Sequence, residues 1–317
     1  MSNAIEVERL TKIYRSGRRR EGPVLAVDHI SFSVREGELF GFLGPNGAGK
    51  TTTVRILTGV IRADGGSARI KGFPAGSLKA KQMAGVVPEM ANAYNDLSGW
   101  GNLMLMAALY GVPAGEAQPR SERLLESLGL LERKDSPVRT YSKGMRQRLI
   151  LGMALVSEPE VLFLDEPTSG LDVQSARLIR EILRGLKAEG KTIFLTTHDM
   201  DEANQLCDRV AIINKGRIAA VDAPERLRLA ASGRQAVEVS FTHADGVNPA
   251  ELARLPGVSE VQRVGDKCRL YTEDPGGLVV ALANYACSTG LKIVSLNTLA
   301  PSLEEAFLAL TDKEAAD

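Results

Sequence analysis

Residues 141–172 read YSKGMRQRLILGMALVSEPEVLFLDEPTSGLD and carry the clearest structural signal in this chain. The stretch begins with a small Ser-x-Gly motif, Ser142–Gly144, directly before a helical pattern. An apolar strand, Val161–Leu164, follows and ends on two adjacent carboxylates, Asp165 and Glu166. Functional groups of α/β domains gather where strands end, at one edge of the sheet. The stretch therefore predicts a metal ligand, a water-activating base and an anion-binding helix start.

A second motif lies earlier, at Gly44–Thr51, and fits the pattern GxxxxGK[ST]. It follows the apolar strand Leu39–Leu43 and precedes a helix that begins at Lys50. The backbone N–H groups of such a loop form an anion cradle, Lys50 reaches the β- and γ-phosphates, and the Thr51 hydroxyl ligates Mg²⁺. A plain Gly-rich turn is the alternative, but strand, loop, Lys-Thr pair and helix all lie in register. The predicted nucleotide-binding residues of this loop are Gly44, Pro45, Asn46, Gly47, Ala48, Gly49, Lys50, Thr51 and Thr52.

The acidic pair and one histidine are the expected reacting groups. Asp165 is expected to coordinate Mg²⁺, directly or through water, and Glu166 to polarise the attacking water. His198 follows the apolar strand Thr192–Thr196, and a neutral imidazole there can donate to a γ-phosphate oxygen. The alternatives are a solvated acidic turn, which the phosphate loop disfavours, and a structural histidine, which the strand order disfavours. Glu166, His198 and Lys50 are thus the predicted catalytic residues.

Ser142 and Gly144 precede a helix, where a hydroxyl and backbone donors can bind a second anion. The alternative is a simple serine N-cap. The choice between the two depends on the whole set of motifs, considered below.

Length and composition limit the classes of protein to which this chain can belong. The 317 residues are many for one core, so two domains are expected. Lys+Arg and Asp+Glu each total 39, and this zero net charge carries no nucleic-acid signature. No apolar run approaches the roughly 18 residues of a membrane span, and the N-terminus lacks a signal pattern. Three cysteines without a CxxC pair indicate reduced thiols, so a soluble cytosolic protein is expected.

The order of predicted elements divides the chain. Strand and helix patterns alternate up to about Leu229, as in an α/β domain. Among them, Ile5–Leu10 and Gln82–Val87 are predicted strands, and Leu103–Tyr110 is a predicted helix in a helical insert at about residues 90–157. Composition shifts near residues 232–233, and a βαββαβ order follows, which suggests a ferredoxin-like α+β module. The predicted domains are therefore residues 1–232 and 233–317. The second domain is expected to have a regulatory or docking role, with a purely stabilising role as the alternative.

Together these motifs resemble the nucleotide-binding subunit of an ABC transporter over roughly residues 4–230. GPNGAGKTT is similar to the Walker A motif, VLFLDEP to the Walker B motif, YSKGMRQ to the signature motif, SGLD at Ser169–Asp172 to the D-loop, and His198 to the switch histidine. Tyr14 stands where the family stacks an aromatic ring on adenine, with a core tyrosine as the alternative. Two such subunits pair head to tail in the family, so the resemblance implies that Ser142 and Gly144 complete the ATP site of the partner.

The resemblance implies an α/β P-loop NTPase of ABC type, with a mixed sheet core, an antiparallel β subdomain and a helical subdomain, followed by the ferredoxin-like module. It implies ATP and Mg²⁺, a dimer with itself or a paralogue, a separate transmembrane permease subunit, and a position on the inner face of the cell membrane. The signature motif and the C-terminal module are similar to those of ABC-2-type exporters, including the daunorubicin-resistance-like group. The alternative is an ABC ATPase of DNA repair, chromosome structure or translation, but long coiled-coil insertions and a second cassette are missing from the sequence.

Three positions depart from the family pattern. Glu89, in GVVPEM, stands at the Q-loop position, where it can still ligate Mg²⁺ but adds negative charge. Lys143 replaces a glycine of the usual signature, and Gly101 stands where a glutamate often precedes asparagine. The segment Glu89–Trp100 is the expected contact with the membrane subunit.

Overall fold

The computed structural model describes residues 2–15, 22–90, 93–231, 235–242, 248–299 and 302–313. The chain divides into two compact units, Met1–Pro224 and Glu225–Asp317. The predicted domain boundary at residues 232–233 lies outside the described residues. Within the described residues, none of the helices combines the length and the apolar character that crossing a membrane requires.

The first unit contains ten strands and seven α-helices among its described residues, and two short 3₁₀-helices at Leu131–Arg133 and Val138–Thr140. The strands are β1 (Asn3–Tyr14), β2 (Val24–Arg35), β3 (Leu39–Leu43), β4 (Gly65–Ile70), β5 (Phe73–Pro74), β6 (Ala84–Val87), β7 (Val161–Asp165), β8 (Thr192–Thr197), β9 (Arg209–Asn214) and β10 (Arg217–Asp222). The helices are α1 (Lys50–Leu57), α2 (Leu78–Gln82), α3 (Gly99–Leu109), α4 (Ala114–Ser127), α5 (Lys143–Leu155), α6 (Val173–Ala188) and α7 (Met200–Leu206).

A six-stranded sheet in the order β10-β9-β3-β8-β7-β6 forms the centre of this unit. All neighbours pair parallel except β10, which runs antiparallel to β9. Every residue of β3, β7 and β8 is buried, as expected for strands covered on both faces. Because parallel strands end at the same edge, the loops that follow β3, β6, β7 and β8 come together there.

The antiparallel sheet, in the order β2-β1-β4-β5, packs against the central sheet through aromatic rings. Phe194 of β8 lies 5.4 to 5.9 Å, between ring centroids, from Phe32 of β2 and from Phe40, Phe42 and Phe163 of the central sheet. These rings are all buried and belong to one core. This shared core fixes the strands that carry the site.

Three predicted elements differ in extent from the observed ones. The predicted strand at residues 82–87 begins at Ala84, because Ser77 caps a short helix that ends at Gln82. The predicted strand at 5–10 extends over all of β1, and the sequence indicated no strand at β4, its neighbour in the sheet. In the helical insert, α3 begins after the cap Ser98, whose Oγ accepts a hydrogen bond from Gly101 N.

The second unit contains a four-stranded antiparallel sheet. Its elements are α8 (Pro224–Ala231), β11 (Gln235–Phe241), α9 (Pro249–Leu252), β12 (Val258–Val264), β13 (Lys267–Thr272), α10 (Pro275–Thr289), β14 (Ile293–Leu299) and α11 (Leu303–Lys313). The strand order is β12-β13-β11-β14, so the two central strands are the first and third of the βαββαβ series. This arrangement is the expected ferredoxin-like one. Its core packs Val237, Val239 and Leu270 of the sheet against Leu278 and Leu282 of α10.

Candidate active site

The loop Gly44–Thr51 connects β3 to α1 at the edge where the parallel strands end. Gly49 has a φ of +110°, and a Cβ there would lie 2.5 Å from the carbonyl oxygen of Ala26. A side chain at Gly44 would overlap the carbonyl oxygen of Ile213. Both positions therefore need glycine for the loop to lie this close to its neighbours. The first N–H groups of α1 have no partner within the helix and point towards the loop, as in an anion site.

Lys50, the first residue of α1, crosses the mouth of this loop. Its side chain is 6% exposed, and its ammonium donates to the carbonyl oxygens of Gly44 at 2.7 Å and Pro45 at 3.3 Å. The ammonium also lies 3.1 Å from Glu166 Oε1. Glu166 Oε1 has no hydrogen bond of acceptable geometry, so this contact is an ion pair. The lysine thus joins the phosphate loop to the end of β7.

Asp165 and Glu166 point in different directions because the backbone turns between them. Asp165 is 3% exposed and its Oδ1 accepts a 2.5 Å hydrogen bond from Thr196 Oγ1 of β8. Glu166 has a φ of +53°, a conformation that costs a non-glycine residue about 1–3 kcal/mol. Its N–H donates to the carbonyl oxygen of Thr196 at 3.1 Å. The turn directs the Glu166 carboxylate towards Lys50.

His198 lies just beyond β8 and contacts the same carboxylate. Its Nδ1 is 2.7 Å from Glu166 Oε2, while its side chain is 54% exposed. Glu166 therefore contacts Lys50 with one oxygen and His198 with the other. The structure brings the three predicted catalytic residues into direct contact.

A cavity of about 290 Å³ lies in front of these groups. It is lined by Ala26, Pro45, Asn46, Gly47, Gly49, Lys50, Thr51, Thr52, Glu89 and Glu166. Glu89 and Thr51 thus face one space, whereas Asp165 is not part of the lining. A larger cavity, of about 540 Å³, lies between α4 and α6 and contains none of the predicted site residues.

The cavity offers the oxygen donors that Mg²⁺ prefers. The Thr51 hydroxyl and the Glu89 carboxylate line it, and Asp165 lies at the end of the neighbouring strand. Among the described residues no group of three or more His, Cys, Asp or Glu side chains could hold a metal alone. Beside a nucleotide, Mg²⁺ is commonly held through one or two carboxylates, phosphate oxygens and water.

Tyr14 lies outside the lining of the cavity. It is the last residue of β1, pairs with Val24 of β2 and is 38% exposed. The ammonium of Lys12 lies 5.7 Å from its ring centroid. Tyr14 is therefore not a core residue, and its contact with adenine stays a prediction.

Ser142 and Gly144 also lie outside this cavity. Ser142 caps α5, and its Oγ accepts a 3.2 Å hydrogen bond from Met145 N. Gly144 is buried, and a side chain there would overlap Ser175 of α6. The two predicted phosphate-binding surfaces are thus separate within this chain.

Sequence reasoning missed several residues that support the site. Thr196 holds both acidic residues at the end of β7, and a threonine inside an apolar strand was the available signal. Lys143 donates to the carbonyl oxygens of Ser169–Gly170, and Thr168 donates to the buried Glu202 at 2.7 Å. These last contacts join residues far apart in sequence, so no local pattern indicates them.

Comparison with known proteins identifies the family. A family profile described as ABC transporter matches residues 27–169, which include the phosphate loop and the acidic pair. The Nod factor export ATP-binding protein I of Ralstonia nicotianae is 39% identical over 302 residues, which cover 95% of this chain and 93% of the relative. This chain belongs to the ABC transporter family. The linearmycin resistance ATP-binding protein LnrL of Bacillus subtilis is 34% identical to this ABC subunit over 320 residues, 99% of this chain and 100% of the relative.

Solved structures agree with the fold of this ABC subunit. The protein cbiO1 from Clostridium perfringens, described as part of the ABC transporter complex cbiONQ, has a TM-score of 0.63 at 28% identity over 72% of this chain and 91% of that structure. The ATP-binding cassette MJ0796 is described as a dimer in a post-hydrolysis state with ADP and Pi. It has a TM-score of 0.63 at 23% identity, over 69% of this chain and 98% of that structure. At this identity the comparison supports the fold alone. The predicted fold class and family are confirmed, and the subunit is an ABC ATPase.

Proposed function

We propose that this ABC ATPase subunit powers export through a separate membrane subunit, and that it hydrolyses ATP as a head-to-tail dimer. The observation that carries the proposal is the contact of Lys50 and His198 with the two oxygens of Glu166, beside a phosphate loop. A lysine that binds phosphate, a carboxylate that can orient water and an imidazole that can donate a hydrogen bond are groups that can assist in-line attack of water on a phosphoryl group.

Lys50 and Glu166 change partners in the proposed reaction. The γ-phosphate of ATP, entering the loop, takes the Lys50 ammonium that now contacts Glu166. The Glu166 carboxylate is then free to accept a hydrogen bond from water and to orient it for attack. His198 moves its hydrogen bond from Glu166 to a γ-phosphate oxygen and helps to stabilise the charge that develops there.

Binding of Mg²⁺ is assigned to Thr51, Asp165 and Glu89. Thr51 and Glu89 face the cavity, and Asp165 reaches it directly or through water. The ion, when bound, neutralises negative charge on the β- and γ-phosphates. Tyr14, exposed at the end of β1, is proposed to stack on adenine.

The dimer is proposed because the two predicted phosphate-binding surfaces lie apart within one chain. Ser142 and Gly144, at the N-terminus of α5, supply an anion-binding surface that is not part of the cavity around Lys50. In a head-to-tail dimer, each such surface covers the γ-phosphate bound to Lys50 of the other copy, or of a paralogue. Each subunit would then complete the site of its partner.

Export and a position on the inner face of the membrane are proposed from the relatives and from one exposed segment. Two relatives carry export or drug-resistance names. In the segment Glu89–Trp100, Met90 is 86% exposed, Tyr94 54% and Leu97 38%. Several exposed apolar side chains within one segment are typical of a protein–protein contact, here proposed with the membrane subunit.

The dimer can be tested with the Glu166→Gln variant, which is expected to bind ATP and to lose turnover. Analytical ultracentrifugation of this variant should give a dimer with ATP and a monomer without it. Adding Ser142→Arg should abolish ATP-dependent association, while ATP binding to the monomer persists. The control is Ser127→Arg, on the exposed face of α4, which should leave the dimer intact. Loss of ATP binding together with association in Ser142→Arg would place Ser142 in its own subunit's site and contradict the proposal.

A further inference from the structure

The segment Thr168–Gly170, which follows the acidic pair, is held by a lysine that the family pattern does not provide. Lys143 donates to the carbonyl oxygens of Ser169 at 3.1 Å and Gly170 at 2.9 Å. Gly170 has a φ of +65°, and a side chain there would overlap the Lys143 ammonium. Hydrogen bonds from an ammonium to backbone carbonyls are stronger than neutral ones. Lys143 therefore connects the N-terminal end of α5 to this segment.

A buried carboxylate holds the same segment from the other side. The Thr168 hydroxyl donates to Glu202 Oε1 at 2.7 Å, and Glu202 is 1% exposed. Burial raises the pKa of Glu202, an effect that the Thr168 hydrogen bond opposes. Glu202 lies in the first turn of α7, where Asp199 accepts hydrogen bonds from the N–H groups of residues 201 and 202. His198 comes directly before that cap.

The segment is also connected to the base. The N–H of Ser169 donates to the carbonyl oxygen of Glu166 at 3.2 Å, and the N–H of Leu171 donates to that of Thr168 at 3.1 Å. Two tight turns thus connect Glu166 directly to Thr168–Gly170, the residues that Lys143 and Glu202 contact.

We propose that Lys143 and Glu202 are positioning residues that clamp Thr168–Gly170 from two sides, and so fix the Ser142–Gly144 helix end relative to Glu166 and His198. Within one subunit, the clamp joins the surface that serves the partner's ATP to the groups that react with its own. The part that concerns turnover rests on the proposed function; the part that concerns the segment itself does not.

Hydrogen exchange of the nucleotide-free full chain tests the clamp directly. Lys143→Met removes the ammonium and keeps the stem, and Thr168→Val removes the hydroxyl and keeps the shape. Each should speed exchange in peptides that cover residues 166–172 by at least about threefold, because local opening becomes easier. Lys191→Met is the matched control, since Lys191 also donates to a carbonyl, that of Pro159 at 2.9 Å, but far from the site. Unchanged exchange at 166–172 in both test variants would overturn the proposal.

Steady-state hydrolysis tests whether the clamp serves the reaction. Lys143→Met and Thr168→Val should each lower kcat by about tenfold, with the ATP affinity of the monomer unchanged. Thr168→Ser, which keeps the hydroxyl, should restore kcat. The double variant should lose less than the product of the two single losses, because both act through one segment.

The outcomes separate this inference from the proposed function. If the wild-type chain hydrolyses ATP and both single variants retain kcat within about twofold, the positioning role is wrong and the proposed function stands. If the double variant loses kcat by the full product of the two single losses, the two residues act independently, which would likewise contradict a single clamp. If the wild-type chain neither hydrolyses ATP nor dimerises with it, the proposed function fails, and the exchange experiment still decides whether the clamp exists.

Discussion

The Lys50 ammonium lies 3.1 Å from Glu166 Oε1, and both side chains are less than a tenth exposed. The group that should hold phosphate and the group that should activate water therefore form an ion pair with each other. ATP has to displace this carboxylate from the lysine before either group can act. Buried ion pairs are costly to break on one side, so the exchange of partners affects both binding and chemistry.

Glu166→Gln should consequently separate binding from turnover. The amide cannot act as a base, so kcat should fall by about 100-fold or more. Because the ion pair with Lys50 is gone, the Kd for ATP should also fall by about threefold or more. Fluorescent-nucleotide titration and a phosphate-release assay measure the two effects. Glu126→Gln, on the exposed face of α4, is the control and should change neither; near wild-type hydrolysis in Glu166→Gln would refute the base assignment.

Glu89→Gln tests the unusual Q-loop residue. Glu89 lines the cavity together with Thr51, and a carboxylate binds Mg²⁺ more strongly than a neutral amide. The variant should therefore need about three- to tenfold more Mg²⁺ for half-maximal hydrolysis at saturating ATP. Hydrolysis measured against free Mg²⁺ gives this value. An unchanged Mg²⁺ requirement, with Glu126→Gln as the parallel control, would show that Glu89 is not a ligand.

Gly144 is predicted to be needed for packing as well as for function. A Cβ at Gly144 would overlap Ser175, so Gly144→Ala should lower the free energy of unfolding by about 1–3 kcal/mol. Urea unfolding measures this loss. Ser175→Gly removes the side chain that the new Cβ would overlap. The double variant Gly144→Ala with Ser175→Gly should therefore be more stable than the sum of the two single effects predicts.

The matched control is Gly185→Ala on α6. A Cβ at Gly185 meets no atom within 4 Å, so alanine there should raise stability by about 0.5–1 kcal/mol through helix propensity. Additive losses for residues 144 and 175 would mean that the side chains do not overlap and would contradict the packing argument.

The parts of the site that follow single strands could be predicted from the sequence. The residues of β3, β7 and β8 are apolar enough to be buried on both faces, and a parallel sheet brings their ends to one edge. Each of these strands is followed within a few residues by one predicted catalytic residue: Lys50 after β3, Glu166 after β7 and His198 after β8. Their positions after parallel strands were therefore enough to predict that they lie at one site.

The parts that depend on distant pairing could not be predicted in this way. Strand β4 reads GGSARI and has little strand propensity of its own, but it pairs with β1 at Ile5 and Ile70. The side-chain contacts of Lys143 and Thr168 are also non-local, because their partners lie 26 or more residues away. No periodicity within either segment indicates such a partner.

The pH dependence of stability should reveal the burial of Glu202. Burial raises the pKa of this carboxyl above its ordinary value of 4.5, so the folded state binds the proton more tightly than the unfolded state. The resulting stabilisation is complete below pH 4.5 and is lost as the pH rises through the raised pKa. Glu202→Gln has no such proton, so its stability relative to wild type should increase between about pH 4 and about pH 8. Unfolding midpoints across this range measure the difference, and the exposed Glu126→Gln should show none. A relative stability of Glu202→Gln that stays constant or decreases with pH would mean that the carboxylate is not penalised by burial, and that Thr168 and its other neighbours fully stabilise the charge.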